Sequence, residues 1–194
     1  MFINIKEIFD MILMIAVVGF IFMDTFKSPR KEDEDVLQRY LKKTIAFNWN
    51  DFWFAAMVVA PAIMFHELGH KIVALSFGLN AEFNAAYIWL VIAIVLKLIN
   101  FPIIFLVPAY VSITGNSTIS QNVLIAFAGP GINLILFIIA WIVLKTKKKM
   151  NHIEIKFWSL TKNINLFLLI FNLIPIPGFD GFTVFSGLWK LIGL

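Results

Sequence analysis

The stretch DFWFAAMVVAPAIMFHELGHKIVALSF, residues 51–77, decides how the rest of the chain is read. It is long and apolar enough for a helix crossing a bilayer, which takes roughly 17–25 residues. Yet His66-Glu67-Leu68-Gly69-His70 lies inside it. An ionisable side chain at mid-membrane costs about 2.5–3.5 kcal/mol or more, so a cluster of three needs a purpose. Residues four apart share one face of a helix, so both imidazoles can reach one metal ion. Glu67 follows the first of them and can take a proton from a water molecule and return it to a leaving amine. HExxH is a short pattern, and two surface histidines flanking a glutamate would explain it on a soluble helix. An apolar span has little other use for it. The chain has three histidines, and the third, His152, falls in a Lys-rich loop and reads as solvated.

Composition agrees with a membrane class. Of the 194 residues, 60% are hydrophobic and 14% are charged, against about a quarter charged in soluble domains. The 21 Phe residues suit lipid-facing surface and bulky packing between spans. There is no Cys, which excludes disulfides and thiolate metal ligands; zinc here would need His and carboxylate. The net charge of +4 does not point to nucleic acid. Lys and Arg sit in loops between apolar segments, as in membrane proteins, and no basic patch is interleaved with aromatics.

Working outward, an apolar run from about Phe9 to Phe26 predicts a first span. Without a small-x-small cleavage site, and with charge following, it reads as retained rather than as a signal peptide. Lys27 to Asn50 is polar; Val36, Leu37, Tyr40 and Leu41 have helical spacing, which fits a short interfacial helix or a solvated linker. The HELGH span ends at the helix-stop signal Gly78-Leu79-Asn80. Ala85 to Tyr110 is apolar but interrupted by Lys97, Asn100, Pro102 and Pro108. After the polar turn TGNSTISQN, further spans are expected from about Val123 to Leu144 and from about Phe157 to Leu173. Phe182 to Leu194 is apolar and too short to cross alone.

A zinc site with an open position needs a third protein ligand. The outstanding candidate is Asp180 in NLIPIPGFDG, residues 172–181. Pro175 and Pro177 lack N–H groups and crowd the carbonyls four residues back, so the helix must open there. Irregular backbone at membrane depth is tolerated where it is buried or lines a wet cavity. The alternative is a span that simply ends at the interface, with Asp180 in water. Glu82 and Glu154 are the next carboxylates to consider.

Together, HELGH at 66–70, AGPGIN at 128–133 and NLIPIPGFDG at 172–181 resemble the motifs of the site-2 protease family of intramembrane metalloproteases (peptidase M50-like), in order and relative position. The resemblance covers about Asp51 to Phe182. It implies zinc ligation by His66, His70 and Asp180, with Glu67 as general base. It implies that Asn172 contacts the scissile carbonyl or its oxyanion, and that Asn133 supports the site or orients substrate. An interhelical hydrogen bond that only joins spans is the other reading of Asn133. Phe179 stands where the family often has Leu, a change from apolar to apolar.

The ligands must meet at one depth. His70 is about 10 Å along the helix from Phe77 at 1.5 Å per residue, and Asp180 also follows the C-terminal end of its span. The two spans must therefore run the same way, which requires Ala85 to Tyr110 to leave on its side of entry. Lys97-Leu98-Ile99-Asn100-Phe101-Pro102 is a plausible bend, and AEFNAAY and FLVPAYVSI have strand-like composition; family members are similar in carrying a β-like hairpin there. In this topology Lys27–Lys43 and Lys145–Lys156 share one side. Positive-inside counting makes that side cytoplasmic, whereas the family arrangement would put the catalytic end nearer the cytoplasm.

The expected fold is an α-helical, polytopic integral-membrane bundle of about four to six segments with a re-entrant, β-hairpin-like element after the HELGH span. It forms a single domain, 1–194: an N-terminal span and polar linker (1–50), a catalytic core (51–182) and an apolar tail (183–194). The expected function is zinc-dependent hydrolysis of peptide bonds in membrane-spanning protein substrates, with Zn2+ as cofactor, the bilayer as surroundings and no nucleic acid, multi-pass in the cell membrane. The rival classes are a non-proteolytic membrane metal binder or transporter, disfavoured by the scarcity of further polar ligands for a relay, and a catalytically dead adaptor, disfavoured by the intact Glu67.

Overall fold

The computed structural model of the protein describes residues 2–29, 47–101 and 107–193. It is mostly helical. The helices are α1 (Ile5–Phe22), α2 (Trp49–Ser76), α3 (Tyr87–Leu98), α4 (Ile119–Thr146), α5 (His152–Asn172) and α6 (Asp180–Leu191), with strands β1 (Asn80–Ala85) and β2 (Ala109–Thr114) on either side of α3. The interfacial helix considered for residues 36–41 lies outside the described residues.

Local chemistry sets the boundaries. Capping boxes start α1 at Asn4 with Glu7, α4 at Thr118 with Gln121 and α5 at Asn151 with Glu154. Each satisfies two backbone N–H groups that a helix start leaves free. The α4 cap falls within the polar turn, so that helix begins earlier than its apolar run. The C-terminus of α2 closes as expected at Gly78: Gly78 N–H donates to the Leu75 carbonyl and Leu79 N–H to that of Ala74. This double closure needs a left-handed residue, and Gly78 has φ +75°.

α2 and α4, 28 residues each, are long and apolar enough to cross a membrane; among the described residues these two helices meet that requirement. Their outer faces expose Trp53, Met57, Phe65 and Ile72 on one and Leu124, Phe127, Ile135 and Ile138 on the other. An apolar surface of that extent marks contact with lipid or with another protein.

The stretch between the strands differs in part from expectation. β1 and β2 do pair, antiparallel, with Asn80 opposite Thr114 and Ala85 opposite Ala109. The chain therefore leaves where it entered. The segment between is a helix rather than a simple bend. YIWLVIAIVLKL has neither Gly nor Pro to break it, and α3 ends just before Asn100, which takes φ +54°. Lys97 near its C-terminus reaches the Asp24 carboxylate at 2.7 Å and the Ile21 carbonyl at 3.1 Å, tying α3 to the end of α1.

Helix directions follow from side-chain contacts. His70, late in α2, meets the Ile125 carbonyl, early in α4; eight residues back, the Ala62 carbonyl meets Asn133, eight residues on. α2 and α4 are therefore antiparallel. Asn133 also bonds Asn165 of α5, while Asp180 beyond α5 lies at the level of His66 and His70. So α5 runs with α2, as a shared site requires. Gly69 permits the close approach of α2 to α4: a Cβ there would sit 2.9 Å from the Ala128 carbonyl oxygen.

The N-terminus of α1 is bound into the core by charge. Glu7 pairs with Lys71, the residue after His70, and both are almost fully buried. Glu7 also accepts the Phe83 N–H of β1 at 2.7 Å. One carboxylate thus joins α1, α2 and β1. Elsewhere in the core, Met14 and Val18 of α1 cluster with Phe54 and Val58 of α2 and with Phe83 and Ala109 of the strands.

Candidate metal centre

Three donor atoms converge where α2 faces the start of α6. The His66 and His70 Nε2 atoms are 3.1 Å apart, and the Asp180 Oδ2 lies 3.2 Å from the first and 3.3 Å from the second. A tetrahedral ion with bonds of about 2.0–2.1 Å sets its ligand atoms about 3.3–3.4 Å apart. The observed triangle has that size.

Hydrogen bonding settles which atoms face inward. His66 Nδ1 lies 2.6 Å from Asn133 Oδ1, and His70 Nδ1 lies 2.7 Å from the Ile125 carbonyl. Carbonyl and amide oxygens only accept, so each Nδ1 carries the proton. Both Nε2 atoms are then lone-pair donors, turned toward each other and toward a carboxylate. Three electron-pair donors at this separation repel unless a cation lies among them. This tautomer, set by an acceptor behind the ring, is the one metal-ligating histidines adopt. The donor set therefore fits zinc.

The elements explain the convergence. His66 and His70 fall on the same face of α2, one turn apart. α4 passes close because Gly129 has no side chain; a Cβ there would press against the Nε2 atoms of both imidazoles. The next residue, Pro130, cannot donate to the Ala126 carbonyl, which loosens the turn whose Ile125 carbonyl serves His70. Asp180 is delivered by the break in NLIPIPGFDG. α5 stops at Asn172, the chain turns through Pro175 and Pro177, Gly178 takes φ +97°, and α6 starts on Asp180. The Phe179 ring packs edge-on against Phe171 at 4.9 Å and holds the turn closed.

Of the residues singled out in the sequence, His66, His70 and Asp180 come together. Glu67 is half-buried beside them, within electrostatic reach of all three. Asn133 is fully buried behind His66; its amide meets the His66 ring and also joins α4 to α2 and α5. Asn172 is half-buried at the end of α5, and its amide makes no hydrogen bond among the described residues. His152 is exposed at the start of α5, Glu82 is exposed on β1, and Glu154 caps α5 and pairs with Lys147. Sequence reasoning missed the Ile125 carbonyl, for which no side-chain signal exists. It also missed the part played by Gly129 and, on α5, Asn165, visible in the sequence only as the second of two amides, after Asn163, before the apolar run LFLLIF.

An HExxH helix completed by a distant carboxylate is the ligand set of a zinc metalloprotease. The family model for peptidase family M50 matches residues 54–149, and the chain belongs to that family. It is 32% identical over 184 residues to the Methanocaldococcus jannaschii protein named "Putative zinc metalloprotease MJ0611", the match covering 89% of this chain and 94% of that one. The protein is thus a metalloprotease with a Zn2+ cofactor, in a membrane-associated family.

The Gly129 contact gives a direct expectation. Gly129→Ala should lower the zinc content of purified protein measured by atomic absorption, because the added methyl needs the space both imidazoles occupy. Full zinc occupancy in a folded Gly129→Ala protein would show that zinc binding does not need the imidazole tips held against α4.

Proposed function

We propose that this chain is an intramembrane zinc endopeptidase of the site-2 protease type, cutting membrane-spanning protein substrates. The observation that carries the proposal is the convergence of His66, His70 and Asp180 with both imidazoles held in the ligating tautomer, and with Glu67 beside them. In this reading those three residues hold zinc. When bound, zinc supplies Lewis acidity toward water and the scissile carbonyl. Glu67 takes the proton of the attacking water and returns it to the leaving nitrogen as the peptide bond breaks. Asn172 donates its amide N–H to the carbonyl oxygen as negative charge develops there. Asn133 holds His66 in place. A carboxylate beside the donor set, and outside it, favours hydrolysis over metal transport, which has no need of a base there.

A helical peptide bond is shielded, so substrate must be extended at the site. The β1 edge facing α1 is covered, since the Phe83 N–H is taken by Glu7. The outer edge of β2, along Val111 and Ile113, is the side on which an extended chain can add by main-chain hydrogen bonds.

We place the whole chain, 1–194, in the bilayer as one domain of four to six segments, multi-pass in the cell membrane. Residues 1–50 form an N-terminal span and polar linker, 51–182 the catalytic core and 183–194 the apolar tail. The paired strands at Asn80 and Thr114 support a re-entrant segment.

Two experiments test this reading. Glu67→Gln should reduce cleavage by about 10²–10⁴-fold, the range for loss of a general acid–base group, while zinc stays bound. Full activity in that variant would remove Glu67 from the mechanism, and loss of zinc would make it a ligand instead. For topology, single Cys residues can be introduced into this Cys-free chain at Asn80, Ser117 and Lys148. In oriented vesicles an impermeant thiol reagent should label the first two from one face and the third from the other. Labelling at the Asn80 and Ser117 positions from opposite faces is incompatible with the re-entrant segment.

A further inference from the structure

Behind the metal centre the amide of Asn133 is itself backed by a second buried amide, Asn165, to which the catalytic reading gives no role. Asn165 of α5 is 1% exposed and Asn133 of α4 is 0% exposed, so neither can exchange its partners for bulk water. Asn165 Nδ2 donates to the Thr161 carbonyl at 2.8 Å. That carbonyl can only accept, which turns Asn165 Oδ1 toward Asn133. Asn133 Nδ2 then donates to two acceptors, Asn165 Oδ1 at 2.9 Å and the Ala62 carbonyl at 3.1 Å. Both of its N–H bonds are committed, and its Oδ1 is left facing His66 Nδ1 at 2.6 Å.

We propose that Asn165 is a positioning residue for the zinc site, acting through Asn133 to hold His66 with its proton on Nδ1 and its lone pair on Nε2. The inference rests on the reading of His66, His70 and Asp180 as zinc ligands. Rotating the Asn133 amide by half a turn would set its oxygen against the Ala62 carbonyl and Asn165 Oδ1. Three acceptors would then meet without a hydrogen among them, in an interior where an unmade hydrogen bond is expensive. It would also present N–H groups to His66 Nδ1 and favour the tautomer whose Nε2 carries the proton and cannot ligate. Asn165 supplies one of the two acceptors that exclude this state. It also ties His66 to α5, the helix that leads to Asp180, so one contact aligns ligands from two separate parts of the chain.

The test is the zinc dissociation constant of full-length protein in detergent, measured by competition with a chromophoric chelator, with a thermal melt to confirm folding. Outer partners of metal-bound histidines typically contribute about 10–100-fold to affinity. N165L should therefore weaken zinc binding by about tenfold or more, with N165V as the smaller substitute should N165L misfold. N165D keeps an acceptor oxygen toward Asn133 and should stay within about threefold of the wild type. Because Asn165 acts through Asn133, N133L/N165L should bind zinc no more weakly than N133L alone, whereas unconnected structural effects would multiply. Wild-type affinity in folded N165L, N165D as weak as N165L, or multiplying losses in the double variant would each overturn the proposal. H66A separates the two levels. If H66A loses zinc while N165L does not, only the positioning role fails; if H66A keeps wild-type affinity, the ligand reading beneath it fails.

Discussion

Three electron-pair donors from two distant parts of the chain must meet about 3.3 Å apart in an apolar interior, and the rest of the architecture answers to that demand. Two donors are one turn apart on α2 and come almost without cost once the helix forms. The third is 110 residues further on, counting from His70 to Asp180. To return it to the same level, the chain must pass through a reversing segment, an antiparallel helix and a parallel one. The strand pair with Asn80 opposite Thr114 performs the reversal, α4 the descent and α5 the return. A single crossing by residues 85–110 would leave imidazoles and carboxylate at opposite ends of the bundle.

The same demand accounts for the polar atoms buried beside the donors. In a low-dielectric interior an imidazole left to itself can carry its proton on either nitrogen. Here each ring is committed by an acceptor behind it, Asn133 for His66 and the Ile125 carbonyl for His70. The small residues are placed for the same reason. Gly69 lets α2 approach the α4 backbone, and Gly129 keeps the space at the imidazole tips clear. At the other side of α2, the buried Glu7–Lys71 pair fixes α1 and β1 to the turn that follows His70. Removing one partner of a buried pair leaves an uncompensated charge and typically costs about 3–5 kcal/mol.

Much of the site was legible because its chemistry is carried by side chains that are expensive in an apolar setting. HELGH stands out for that reason, and Asp180 because two prolines force a helix to open beside it. The helix-stop at Gly78 and the strands around Ala81–Ala85 and Ala109–Ile113 were legible from local composition. What lay out of reach was of two kinds. Ile125 contributes only a backbone carbonyl, and its side chain carries no trace of that use. Asn165 is visible as a residue, but its meaning depends on which helix faces it, and only the packed bundle supplies that. The helical character of α3 is masked in the sequence by Lys97, Asn100 and Pro102, which suggest a bend. The run that leads up to them, free of Gly and Pro, folds as a helix and ends among them.

The central claim is that this chain, when His66, His70 and Asp180 hold zinc, hydrolyses peptide bonds in a membrane-spanning substrate. The most direct measurement incubates the purified full-length protein with a single-span reporter protein in detergent or vesicles, follows cleavage on a gel and maps the cut by mass spectrometry. Cleavage within or beside the reporter's span should stop when a chelator strips the protein and return when stoichiometric zinc is restored. Undiminished cleavage by protein shown to be free of metal would contradict the account.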